Sequence, residues 1–192
     1  SDYREAIETF EDEPGYSLHL ATLQIRRYEL LPALKTLRAA VGRHPENADV
    51  REAIPTLLAG IGWKKGMAYR DAGKAYVTGE PGGDPQGFEK CGQQFIDVFN
   101  NFEEHDRADT LLWNAADCLD AAYQVGQAIQ IRKALLDRFP DSDHAKDTLH
   151  YLAESYQAVA YYDDSAQRYE EFAEEYGKDD RASNALQNAY LF

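Results

Sequence analysis

The chain has 192 residues, 44% of them hydrophobic, and a formal net charge of −14 at pH 7. That apolar share supplies a core and excludes wholesale disorder, while no apolar run approaches the ~18 residues of a membrane helix. The acidic excess lies wholly beyond residue 75. It argues against nucleic acid and anionic membrane surfaces, both of which need a basic footprint.

Taken in order, Tyr3, Ala6, Ile7 and Phe10 have the spacing of Tyr162, Ser165, Ala166 and Tyr169. Residues 1–13 therefore read as the second half of a two-helix unit, closed by a turn at Glu11–Gly15. A helix follows over Tyr16–Tyr28, with Leu18, Ala21, Ile25 and Tyr28 on one face, and its partner runs over Leu30–Val41. His44-Pro45-Glu46-Asn47 ends this 16–47 unit, with His44 as a packing residue. Residues 48–104 form an irregular unit. Helical spacing is clear around Leu57, Leu58, Ile61 and Trp63, and again from Met67 to Tyr76. Pro55 is expected to break or start a helix. Gly60, Gly62, Gly66 and Gly73 each cost about 1 kcal/mol against alanine in a helix, so they need a reason. Close helix approach is one reason; a bend or a partner site is another. The Gly79–Gly87 stretch reads as an inserted loop, either tolerated or in contact with a partner. Phe88 to Phe102 then forms the second helix of the unit.

From Arg107 onward one unit is written twice. Ala108 pairs with Ala145, Leu112 with Leu149, Ala116 with Ala153 and Phe139 with Tyr176, each 37 residues apart. Such self-similarity marks a solenoid. The units are 105–141 and 142–179, each a helix pair. Small residues at Ala116, Ala128, Ala153 and Ser165 let the helices approach, and Phe139-Pro140-Asp141-Ser142 makes the stop. Residues 180–192 restart a first helix with Ala182, Leu186, Ala189 and Tyr190. Its apolar Tyr190-Leu191-Phe192 end is not a polar cap, so the natural chain is expected to continue, or the helix to self-associate. The resulting expectation is an all-α right-handed solenoid of three to four helix pairs.

The small/large pattern and the Phe139-Pro140 stop resemble the tetratricopeptide repeat, with Arg132 standing where an aromatic is usual. In that family the first helices line a concave groove. The resemblance places Trp113, Asp117 and Asp120 with Thr110 on one such helix. It places Asp147, His150, Glu154 and Gln157 on the next, and Leu18, Thr22, Ile25 and Arg26 on the first. The family's clamp for a free carboxylate tail is absent, with acidic and amide groups in its place. The groove is therefore expected to take a basic or polar protein or peptide segment, with Trp113 either anchoring it or packing on the preceding unit. The second half is also similar to envelope tetratricopeptide proteins of Gram-negative bacteria: outer-membrane-assembly lipoprotein scaffolds, Tol-associated cell-division coordinators and gliding-motility components. That resemblance implies a periplasmic interaction scaffold. A recruitment or regulatory domain of a larger enzyme or signalling protein is the alternative, with the cytoplasm as the alternative location.

The search for chemistry is short. The five histidines, His19, His44, His105, His144 and His150, are scattered, and none lies four residues from another histidine or a cysteine, as a helical metal site built on such a pair would require. No nucleophile elbow or phosphate loop occurs, and the carboxylates lie on faces expected to be wet. We expect no enzyme, no metal and no cofactor. Cys91 and Cys118 fit neither a disulfide framework nor a zinc site. They read as two buried small hydrophobes, or as one bridge between neighbouring helices.

Overall fold

A computed structural model describes residues 13–191. Among them there are nine α-helices and no strand: α1 (Pro14–Arg26), α2 (Leu30–Arg43), α3 (Ala48–Thr78), α4 (Gly87–Asn101), α5 (Ala108–Ala121), α6 (Val125–Arg138), α7 (Ala145–Ala158), α8 (Tyr162–Glu175) and α9 (Ala182–Leu191). Each helix packs on its neighbours in sequence, and α1 also packs on α3. This arrangement is compatible with an α-solenoid. The half unit expected over residues 1–13 falls almost wholly outside the described residues, as does Phe192.

The 37-residue period reappears as a pattern of hydrogen bonds. The side chains of His105, Ser142 and Asp179 accept from the backbone N–H groups of Arg107, His144 and Arg181 at 3.1, 3.0 and 3.0 Å. Two-residue side-chain caps of this kind hold the turn that feeds α5, α7 and α9. Before each of them the carbonyls of Phe102, Phe139 and Tyr176 accept from the N–H of residue 105, 142 or 179, as His44 accepts from Asn47. His44 thus makes, after α2, the same turn bond as the three rings. The turns inside the pairs also match. Tyr28, Tyr123 and Ala160 have φ of 61°, 59° and 61°. The following N–H in each case reaches back to Gln24, Leu119 or Tyr156, so three hairpins close on a left-handed residue in the same way.

The region 48–104 differs from expectation. Residues Ala48–Thr78 form one uninterrupted 31-residue helix, with Pro55 inside it rather than at a break. Asn47 Oδ1 caps its start by accepting from the Val50 N–H at 3.0 Å. Gly79, at φ 74°, closes its end. Packing overrides the weak propensity. A Cβ on Gly62 would lie 2.3 Å from Val98, and one on Gly66 or Gly73 would lie 2.9 Å from Phe95 or Phe88. The glycines let α4 press against α3. Gly87, at the start of α4, sits against Gly73, where a Cβ would come within 2.3 Å of the Gly73 nitrogen.

The core is a series of clusters between layers. Ala21, Ile25, Ala33, Leu37 and Ile61 join α1, α2 and the first half of α3. Phe95, Phe99, Leu111, Leu112, Ala115 and Leu135 join α4, α5 and α6. Leu149, Ala153, Tyr169, Phe172 and Ala185 join α7, α8 and α9. Of the two readings of the cysteines, the bridge is the one found. Cys91 in α4 and Cys118 in α5 form a disulfide with a Cα–Cα distance of 5.8 Å and a sequence separation of 27. In the chain-entropy view such a loop contributes about 3.5 kcal/mol. The other small contacts are as anticipated: Ala116, Ala128, Ala153 and Ser165 are all buried.

The glycine contacts generate a paired expectation. Gly87→Ala forces backbone apart and should lower unfolding stability by more than about 2 kcal/mol. Gly126→Ala, at a helical position with nothing within 4 Å, should raise it by about 0.5–1 kcal/mol. Urea unfolding of the two variants checks the contrast.

Candidate functional site

The groove residues expected from the sequence lie along α5 and α7, the first helices of successive pairs. Trp113, Asp117 and Asp120 recur at i, i+4 and i+7 on α5; Asp147, His150, Glu154 and Gln157 follow a matching stripe on α7. Helical spacing puts each set on one face. The two stripes meet at Trp113. Its ring stacks on His144, the residue capping α7, with centroids 5.0 Å apart and planes 9° from parallel. Tyr151 lies against the same indole at 5.8 Å. Trp113 is half-buried and Tyr151 stays exposed. The indole therefore packs on the following unit as well as against the core cluster that α4, α5 and α6 share, and still offers surface to solvent.

Three arginines that the sequence reading did not assign organise the acidic groups. Arg132, on α6, is buried. It donates to Ser155 of α7 at 2.7 Å and forms an ion pair with Asp120 of α5. Arg70, on α3, donates to Asn114 of α5 at 3.1 Å, with the Asp117 carboxylate 3.7 Å away. Arg181, leading into α9, reaches back to Asp147 of α7 at 2.6 Å and to Asp179 at 2.8 Å. Each arginine spans from one helix to the first helix of a neighbouring pair, so the acidic stripes are in part the counter-ions of interlayer cations. The signal available in the sequence was Arg132 on the packing face of α6, in the place of an aromatic.

The remaining stripe residues divide between packing and solvent. His150 is largely enclosed by Tyr151, Tyr169 and Phe172, with ring centroids 5.0–6.0 Å away. Burial pushes its pKa below the ordinary histidine value; the Glu154 carboxylate pulls the other way and Arg181 assists the lowering. Gln157 accepts a hydrogen bond from the Tyr169 hydroxyl at 2.9 Å, and burial raises the pKa of that phenol. The side chains of Asp117 and Glu154 are 62% and 50% exposed. Of the seven expected residues, Asp117, Glu154 and Gln157 are exposed, Gln157 while bonded to Tyr169, and Trp113 is half-buried. Asp120, Asp147 and His150 are engaged in holding the layers. The polar link between turns repeats too: Asp109 of α5 accepts from Ser142 at 2.6 Å, and one period later Lys146 of α7 donates to Asp179 at 2.9 Å.

What the surface can do chemically is hold a polar or cationic segment over an aromatic patch. Among the described residues no group of three or more His, Cys, Asp or Glu is disposed to hold a metal ion. No helix there is long and apolar enough to cross a membrane.

Two measurements follow. Asp120→Asn leaves the buried Arg132 without its counter-ion and should cost about 2 kcal/mol, whereas Asp117→Asn, in a looser and wetter pair, should cost less than about 1 kcal/mol. Urea midpoints distinguish them. For His150 the unfolded chain binds the proton more readily than the folded one. Its contribution to stability is therefore constant well above the unfolded value of about 6.5 and declines as pH falls through it. His150→Phe should flatten that part of the stability–pH curve between about pH 7.5 and 5; an unchanged curve would contradict the burial argument.

No protein-family model matches the chain, and comparison with curated proteins finds no match.

Proposed function

We propose that this chain is a right-handed, tetratricopeptide-like solenoid that serves as a protein–protein interaction scaffold. A basic or polar partner segment lies across α5 and α7. The carrying observation is the half-buried Trp113, stacked on His144 and beside the exposed Tyr151, with the outward carboxylates of Asp117 and Glu154 on the same two helices. A flat aromatic pair already held in place costs little to order and suits an anchor. The repeated turn bonds at 37-residue intervals favour the repeat reading. The Cys91–Cys118 bridge favours an oxidising compartment, in keeping with a periplasmic scaffold of the cell envelope. Tyr190 and Leu191 on the exposed side of α9, 78% and 76% exposed, give a second contact through which copies of the chain can associate.

A short lysine- and leucine-containing peptide serves as probe. Its affinity should fall as salt rises, because screening at ~0.15 M acts over ~8 Å. The double change Asp117→Lys and Glu154→Lys should weaken binding by about tenfold or more. The same change at Asp163 and Asp164, exposed in the first turn of α8, should weaken it by less than about twofold. Trp113→Ala should act chiefly by faster dissociation. Equal effects from the two charge pairs would reduce the site to a general acidic field.

A further inference from the structure

We infer that the notch between α1, the middle of α3 and the turn before α5 is a binding site for a small amphiphilic anion, an aromatic or branched carboxylate. The cavity there has a volume of about 360 Å³, at the low end of the range for ligand sites, ~300–1,000 Å³. Ile25, Trp63 and Leu111 give it an apolar floor; Lys64, His105 and Arg107 give it basic groups, and no carboxylate lines it. That composition is against the grain of a chain with 34 acidic and 20 basic residues.

Two independent observations set this cavity apart from a packing defect. The first is how its cations are held. Arg107 lies over the Trp63 ring at 4.2 Å, and Lys64 over the Tyr28 ring at 4.3 Å. Arg70, Arg132, Arg138 and Arg181 stand within 4.0 Å of a carboxylate, whereas several other cations, Lys65 beside the Tyr69 ring among them, do not. Among the described residues neither Lys64 nor Arg107 has such a partner. Aromatic faces fix their position and leave their charge unneutralised, so an incoming anion finds oriented donors with no ion pair to break. The second is Gly60. Gly62, Gly66 and Gly73 are explained by the approach of α4, but a Cβ on Gly60 would meet nothing closer than Ile25 at 3.8 Å. Packing leaves room for alanine there, which would favour the helix. Gly60 instead lines the cavity, and its missing side chain is part of the open volume. The occupant that answers both features has an apolar body for the space beside Gly60 and Trp63 and an acid group for Arg107 and Lys64.

This site is independent of the scaffold reading, and its test keeps the two apart. Indole-3-acetate, 2-naphthoate and 4-methylpentanoate are titrated into the intact protein by calorimetry, beside indole-3-acetamide and acetate. At least one of the three acids should bind. The indole acid should bind about tenfold or more tighter than its amide if it is the one that binds, and acetate should stay silent, because both halves of the ligand are needed. Gly60→Leu should fill the cavity and abolish binding, with helix content and melting temperature maintained. Arg107→Gln and Lys64→Gln should each weaken it by about tenfold. Trp113→Ala should leave it unchanged. Silence from all three acids at millimolar concentration overturns the inference. So does equal binding of acid and amide, or binding that survives Gly60→Leu. Binding of acetyl-Glu-Phe-Glu-amide with the free acids silent would overturn it in favour of a partner's side chain.

Discussion

The close packing of α4 on α3 is the contact on which the rest of the architecture depends. Helix α3 is the shared wall of two groups: α1 and α2 lean on its first half, and α4 lies along its second. Its glycines put it within touching distance of Val98, Phe95 and Phe88. The apolar side chains that α4 brings, Cys91, Phe95, Val98 and Phe99, are buried at that contact and against α5. Every later layer is added to this one, because from α4 onward each helix has as its main neighbours those adjacent in sequence. A disturbance at Gly73 or Gly87 would therefore change the platform on which α5 is set, and with it the position of Trp113.

The regular part of the fold was legible because its physics is local and repeated. Small residues at Ala108, Ala145 and Ala182, apolar ones at Leu112 and Leu149, and unit-ending rings at Phe139 and Tyr176 recur with the period of the backbone bonds they accompany. Helix α3 was not legible as one element. Pro55 and four glycines are breaking signals by propensity, and only contacts distant in sequence show what outweighs them. The disulfide was legible only as one of two readings, since a spacing of 27 between two cysteines does not decide between a bridge and two buried thiols. For the site, the helical stripes were readable, but their partners were not. Arg70, Arg132 and Arg181 act across layers, and which carboxylate each one meets is a property of the stack.

The surfaces around Trp63 and Trp113 are built alike and charged oppositely. Trp63 on α3 is covered by Arg107, the residue that caps α5; Trp113 on α5 is covered by His144, which caps α7. In each case the residue entering the next helix lies over the indole of the layer before. Around Trp113 the neighbours are Asp117 and Tyr151; around Trp63 they are Lys64 and His105. One structural device thus presents an acidic and a basic face along the same chain, without any change in backbone plan.

The position of the disulfide has a kinetic meaning. Cys91 and Cys118 are 0% and 1% exposed, so no reductant or oxidoreductase can touch the sulfurs while α4 and α5 are closed. Reduction must proceed through transient opening of that hairpin, and its rate is the intrinsic exchange rate scaled by the open fraction. The bond is thereby a clock for the interface that shelters it. The same shelter works in reverse during maturation: a catalyst that joins the two thiols has to reach them while α4 and α5 are apart.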